Sequence, residues 1–298
     1  MKIRCLIENK ETPFLLFEHG LSLLIELNNK KILFDTGKTN SFLSNAKKLN
    51  NDMHNIDYLV LSHAHYDHTG GVIDFIKEYN YKNNIYLGTE FKANKYSLED
   101  NNYIYKGIPF KMDELINIKY VDNMLNIDND ITLFNNFIEN NNFEHISSKF
   151  YILDKDYKKD YFKDEVVLTI DTPLGLVLIV GCSHAGICNI VSEVKKRLNK
   201  PIRGIIGGFH LSKENDEYAL KIINELKKHE LEFIIPIHCS GHESLFRKEF
   251  KNKCIILESG DSYLIDEVKK EYKTKNNSKL DNDYAEQTDR NYKDGDRN

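Results

Sequence analysis

Apolar positions in this chain fall into short runs broken by polar turns, and their spacing switches between the period of a strand and that of a helix. Near the start, "LSLLIEL" (21–27), a polar "NNKK" turn and "KILF" (31–34) read as two strands joined at hairpin length. "DTG" (35–37) closes the second strand, and a helix is expected around residues 40–50. "DYLVLS" (57–62) suits a buried strand, and "GGVIDFIKEY" (70–79) has helical apolar spacing. Residues 92–165 are rich in Asn, Lys, Asp and Tyr, with only short apolar pieces such as "ITLF" and "FYIL", so an inserted, lid-like segment beside a site is expected there. From "EVVLTI" (165–170) onward the rhythm is regular. Strand "LGLVLIVGCSH", helix "NIVSEVKKRL", strand "IRGIIGGFHL", helix "EYALKIINELKKH", strand "EFIIPIHCSGH", short helix "ESLFRKEF" and strand "CIILES" come in turn. A single domain over 1–266 is expected. Residues 267–298 have almost no aliphatic side chains to offset ordering entropy, so a disordered polar tail is expected.

Composition narrows the class. A chain of 298 residues with 41% hydrophobic and 29% charged content can bury a sizeable core. No apolar run approaches the roughly 18–20 residues that span a bilayer, and the start "MKIRCLIENKETPF" has no apolar signal core, so a cytoplasmic location away from membranes is expected. The five cysteines lack CxxC spacing and read as reduced thiols. A net charge of -5 argues against a nucleic-acid surface, yet leaves room for a local basic site that holds a phosphate-bearing small molecule.

The chemistry concentrates in "SHAHYDHTGG" (62–71), in the strand-to-helix loop, where His63, His65, Asp67 and His68 form the pattern HxHxDH. Alternate residues of an extended loop point the same way, so nitrogen and oxygen donors converge. With only 11 histidines in the chain, such a cluster is far from a random surface loop. Two metals need about six or seven protein ligands, and this loop supplies four. The remainder is expected at the carboxyl ends of other strands, where sites in layered α/β sheets collect. "GCSH" offers His184 with Cys182 beside it, "GGFH" offers His210, and "IPIHCSGH" offers His238, Cys239 and His242. A lone histidine is ordinarily a packing or surface residue. Three in succession at strand ends after HxHxDH change that balance, most for His184 and His238 and less for His210. Asp35 is expected either to hydrogen-bond the far nitrogen of a ligating histidine or to serve only as a turn residue. Gly70 and Gly71 suit a close backbone approach or a simple turn. Ser183 and Ser240 stand near the candidate ligands without an independent base, so nucleophilic catalysis by serine is disfavoured.

Together "LFDTG", "SHAHYDHTGG", "GCSHAG", "GGFHL" and "IPIHCSG" resemble the metallo-β-lactamase-fold superfamily. The last three are similar to a branch that holds 7,8-dihydropterin-6-methyl-4-(β-D-ribofuranosyl)aminobenzene-5'-phosphate synthases and many metal-dependent hydrolases. The resemblance covers residues 1 to about 266. It implies an αββα sandwich, an α+β fold of two mixed sheets with outer helices, and a dinuclear site at one edge. His63, His65 and His184 would take one metal, and Asp67, His68 and His238 the other. One departure stands out: many members place a bridging Asp where this chain has Cys182. The bridge is then open to Cys182, His184, His210 or solvent. Histidine at position 65, where di-iron relatives carry a carboxylate, favours zinc, with manganese, iron or magnesium as alternatives.

The expected activity is that of a metal-dependent hydrolase. A metal-held solvent would lose its proton near neutral pH and attack an ester or phosphoester, with Asp67 orienting the solvent and His210 donating a proton to the leaving group or holding a phosphate. The alternative is a transferase that condenses a dihydropterin pyrophosphate with an aminobenzene ribofuranosyl phosphate, for which magnesium would be the more natural metal. A non-catalytic metal-binding module is the third reading, and an open dinuclear site is more than that role requires.

Overall fold

In the computed structural model of the protein, which describes residues 1–137 and 141–265, the early hairpin forms as its pattern predicts. Ser22–Leu27 pairs antiparallel with Lys30–Phe34, and a two-residue link is possible because Asn28 accepts a left-handed φ of 52°. Asparagine also stops helices. Asn80 and Asn199 take φ of 47° and 50° just past Val72–Tyr79 and Ile187–Leu198. At the other kind of helix end, the Asn215 side chain accepts the Tyr218 N–H and starts Asp216–Lys227.

Two mixed sheets carry the fold. One has seven strands in the order Ser262–Leu264, Lys2–Ile7, Ser22–Leu27, Lys30–Phe34, Tyr58–Val60, Ile85–Gly88, Ile118–Val121. The other has six, in the order Phe233–Pro236, Ile202–Gly207, Gly175–Val180, Val167–Thr172, Ile131–Phe134, Met124–Asp128. Each is antiparallel in one half and parallel in the other. Ile3, Ile25, Phe34 and Val60 of the first sheet meet Leu133, Leu168, Ile179 and Ile206 of the second in one buried layer. The outer face of the first sheet is covered by Ser41–Lys48 and Val72–Tyr79 through Phe42, Leu43 and Phe75. The outer face of the second is covered by Ile187–Leu198, Asp216–Lys227 and Glu243–Phe250 through Val191, Ile223 and Phe246. The order of layers is therefore αββα, and because the central strands are buried on both faces, they read as near-continuous apolar runs. These elements belong to the compact unit Met1–Glu267; the tail expected over 267–298 lies outside the described residues.

Two parts of the chain differ from the pattern reading. "CIILES" makes only a single bridge, Cys254 to Ile234, before the chain crosses to the first sheet and pairs as Ser262–Leu264 with Lys2–Ile7. A segment that passes from one sheet edge to the other can pair with each only briefly, while its Leu257 fills the layer between them. The strands of the Asn-rich stretch 92–165 are divided among three sheets: Ile118–Val121 joins the first, Met124–Asp128 and Ile131–Phe134 join the second, and the other four form a sheet in the order Tyr157–Lys159, Phe150–Leu153, Asn94–Glu99, Asn102–Tyr105. Its polar composition hid these strands, several of which are exposed on one or both faces.

Candidate metal centre

The parallel halves of both sheets end at one edge, and the loops that leave those strand ends carry the chemistry. Asp35 comes directly after Lys30–Phe34 with a φ of 60°. One of its oxygens accepts the Ser62 N–H at 2.7 Å, and the other accepts the Ser62 hydroxyl at 2.7 Å and lies 2.6 Å from His68 Nδ1. Ser62 Oγ is 2.9 Å from His63 Nδ1, the donor that its remaining lone pair can accept. Both histidines therefore have Nδ1 engaged and present Nε2 inward. Gly70 lets the loop lie close beneath them, since a Cβ there would stand 1.9 Å from the Lys38 carbonyl oxygen.

The inward nitrogens face one another at informative distances. His63 Nε2 is 3.0 Å from His65 Nδ1, His68 Nε2 is 3.2 Å from His238 Nε2, and Cys182 Sγ is 3.1 Å from His68 Nε2. Ligand nitrogens at about 2.0–2.1 Å from a tetrahedral zinc stand about 3.3 Å apart, so the two nitrogen–nitrogen spacings are close to the edges of a coordination shell. His184 Nε2 is buried with no hydrogen-bond partner, a cost that native structures seldom carry without a ligand to offset it; His65 Nε2 is unpartnered too, but on the side of the ring away from the Nδ1 that faces His63. The donors His63, Cys182 and His184 lie within 4.8 Å of one another, as do His68, Cys182 and His238, and as do His19, Asp67 and His238. Cys182 belongs to two of these groups. Nitrogen, sulfur and carboxylate donors of this kind suit a divalent metal.

Electrostatics separate imidazoles that are already neutral from His68, which would have to release a proton to bind a metal. Burial pushes the pKa values of His63, His65 and His184 well below the ordinary imidazole range, which leaves them neutral as ligands must be. Burial also opposes charge on His68, yet the carboxylates of Asp35 and Asp67 outweigh it and lift its pKa to about 9. For Asp67, burial is outweighed by His68 and His238, which hold the carboxyl well below its usual range. Burial, with Cys239 next, raises the Cys182 thiol, and a bound cation would reverse that by deprotonating it. His238 and His210 are each lowered to about 4, mainly by burial.

Support comes from residues that the sequence pattern does not single out. Glu165 accepts the backbone N–H groups of His184 and Ala185, each at 2.8 Å, and burial lifts its pKa to about 7. Phe162 stacks on His184 with centroids 3.9 Å apart and planes 8° apart. Lys95 Nζ sits 4.5 Å over the Phe162 ring and pairs with Asp160 at 2.6 Å and Asp164 at 2.8 Å. Asp164 in turn accepts the N–H of Ala64, between His63 and His65, at 2.7 Å. The small sheet, through Lys95, thus braces both histidine loops.

Of the candidates, His63, His65, Asp67, His68, His184, His238 and Cys182 gather in one cluster, with Asp35 behind His68. His210 stands beside His184, ring centroids 4.5 Å apart, and lines the pocket without joining a donor group. His242 turns away, its Nε2 3.0 Å from the Leu211 and Glu214 carbonyl oxygens. Cys239 Sγ is 3.3 Å from Cys182 Sγ. His19 at the same rim, and Asn9 hydrogen-bonded to it, carry no sequence signal beyond a lone His in "FEHGLS". Removing the Asp35 carboxylate as Asp35→Ala is expected to weaken zinc binding by about 10–100-fold in a chelator competition, the usual cost of losing a carboxylate behind a ligating histidine; an unchanged affinity would show that Asp35 does not orient His68.

The family model described as the metallo-beta-lactamase superfamily matches residues 16–197, which contain the HxHxDH loop, Cys182 and His184. The chain belongs to this superfamily. As a metallo-beta-lactamase-fold protein it is 33% identical over 249 residues to the uncharacterized protein MJ0448 of Methanocaldococcus jannaschii, covering 82% of this chain and 92% of that one. It is 31% identical over 275 residues to the 7,8-dihydropterin-6-methyl-4-(beta-D-ribofuranosyl)-aminobenzene-5'-phosphate synthase of the same organism, covering 82% and 88%. Among solved structures it matches Tm1679, a metal-dependent hydrolase of the beta-lactamase superfamily, at 31% identity and a TM-score of 0.76 over 89% of this chain and 99% of that one. The αββα architecture is accordingly the metallo-beta-lactamase fold, and the superfamily is one of enzymes whose fold suits divalent metals. No described helix is long and apolar enough to cross a membrane.

Proposed function

We propose that the protein is a metal-dependent hydrolase of a small anionic substrate, a phosphoester above all, with two divalent cations, zinc first, held by His63, His65 and His184 and by Asp67, His68 and His238, and with Cys182 between them. The observation that carries this reading is the open pocket over two donor groups that share Cys182, rimmed by Lys106, Lys149 and Lys213. Lys106 pairs with Glu99 at 3.0 Å, whereas Lys149 and Lys213 enter none of the ion pairs found among the described residues. When bound, such cations supply Lewis acidity and bring the pKa of coordinated water near 7. The chain's own residues do the rest. The rim lysines attract and orient the anion, Phe150 and Phe162 pack around His65 and His184 and limit water there, and His210, kept neutral by burial, donates a hydrogen bond toward the leaving group.

A second reading has one specific support, the synthase relative. In it the same rim lysines would hold a pyrophosphate leaving group while an arylamine attacks. The two are separated by assay. Purified protein is expected to hydrolyse bis(p-nitrophenyl) phosphate, to lose that turnover on dialysis against a chelator, and to regain it with zinc or manganese. Absence of turnover on phosphodiesters, phosphomonoesters, thioesters and lactones, together with release of pyrophosphate from a dihydropterin pyrophosphate in the presence of an aminobenzene ribofuranosyl phosphate, would replace the hydrolase by the transferase.

A further inference from the structure

Asn9 joins two stacked histidines at the mouth of the pocket, and its amide is wired so that it must treat them oppositely. Its Oδ1 accepts the Gly20 N–H at 3.1 Å, and its Nδ2 donates to the His238 carbonyl at 3.2 Å. A backbone N–H can only donate and a carbonyl can only accept, so these two contacts fix which end of the amide is which. The other two contacts are then determined as well. Oδ1 lies 2.8 Å from His238 Nδ1, which must carry a proton, leaving His238 Nε2 with a bare lone pair. Nδ2 lies 3.3 Å from His19 Nδ1, which must be the acceptor, so the His19 proton is on Nε2.

Those two Nε2 atoms converge on one oxygen. Asp67 Oδ2 is 3.4 Å from His238 Nε2 and 3.2 Å from His19 Nε2, and the rings stack with centroids 5.1 Å apart. Between the bare Nε2 of His238 and a carboxylate oxygen there is no proton, and His68 Nε2, 3.2 Å away, is a third donor turned to the same point, an arrangement that suits a cation. Between His19 and the same oxygen there is one. Distance alone would count His19 as a further ligand with Asp67 and His238; proton placement says otherwise.

We propose that Asn9 selects the tautomers of both histidines, so that His238 binds the second metal through Nε2 while His19 is a positioning residue whose Nε2–H holds the Asp67 carboxylate in its coordinating orientation. The inference rests on the proposed dinuclear metal site, and it explains why an exposed imidazole, with a side chain 55% accessible, is fixed at the rim by Asn9 and by the ring of His238.

The test is long-range proton–nitrogen correlation of the histidine rings in the full-length 15N-labelled protein, first freed of metal and then with one and two equivalents of zinc. In the zinc-free protein His19 is expected as the Nε2–H form and His238 as the Nδ1–H form. On zinc addition, His238 Nε2 is expected to take a coordination shift while His19 keeps its form. In Asn9→Asp, which loses the amide donor but keeps an acceptor, His19 is expected to gain a proton at Nδ1 while His238 keeps its form. In His19→Ala, two zinc equivalents are expected still to bind, with the weaker site loosened by about 10–100-fold. A coordination shift at His19, an Nδ1–H form of His19 in the zinc-free protein, or loss of a whole zinc equivalent in His19→Ala would each overturn the proposal. If no zinc binds at all, the metal-site reading fails by itself, and the zinc-free spectra still decide the role of Asn9.

Discussion

Replacing Cys182 by alanine is expected to cost the protein one metal equivalent and more than about 100-fold of its metal-dependent turnover, beyond the 10–100-fold typical of losing an outer hydrogen-bond partner. Cys182 is the donor shared by the His63–His184 group and the His68–His238 group, and its Sγ lies 3.1 Å from His68 Nε2. In the metal-free protein, burial first and the neighbouring Cys239 second keep this thiol protonated, so its coordination must release a proton and its loss should be felt in metal affinity before anything else. Metal analysis of Cys182→Ala is expected to give about one equivalent per chain instead of about two. The cobalt-substituted wild type should show a thiolate charge-transfer band that the variant lacks. Cys182→Asp, which supplies the carboxylate that many superfamily members carry at this point, is expected to restore the second equivalent without the band. Two tightly bound equivalents in Cys182→Ala would mean that solvent alone bridges the metals.

Lys95→Ala is expected to have the largest effect on stability. Lys95 is 1% exposed and held between Asp160 and Asp164, which are 3% and 1% exposed. Removing one partner of such a buried arrangement leaves uncompensated charge and costs about 3–5 kcal/mol, which at about 2–4 °C per kcal/mol for a domain of this size is a fall in melting midpoint of about 6–20 °C. The damage should reach the metal centre, because Asp164 accepts the Ala64 N–H and Phe162, beneath the Lys95 ammonium, is stacked on His184. Calorimetry on the metal-free protein isolates the stability term from metal linkage. A midpoint within a degree or two of wild type would show that the Lys95 cluster does not brace the histidine loops.

The HxHxDH loop could be read directly because its spacing is its geometry. His63, His65, Asp67 and His68 are close in sequence, and an extended turn running into a short helix brings their donors together whatever surrounds them. The strand ends that carry His184 and His238 were legible for a related reason: a strand buried on both faces is a continuous apolar run, and the residues just past its carboxyl end stand at the sheet edge. The departures have physical causes too. "CIILES" has the apolar composition of a strand but travels between two sheets, and the strands of 92–165 lie partly exposed, so selection for burial left little pattern in them.

By itself, then, the sequence determined the αββα class and the superfamily, and it singled out donor residues whose chemistry suits a divalent metal. Which partners make that chemistry work was decided only in the folded chain. Asn9 meets His238 across 229 positions, Lys95 meets Asp164 across 69, and Glu165 meets the His184 amide across 19. Such contacts depend on how two sheets stack and in what register their edges meet. No local periodicity encodes that, because a lone Asn, Lys or Glu has the same spacing signature whether it faces water or a buried histidine.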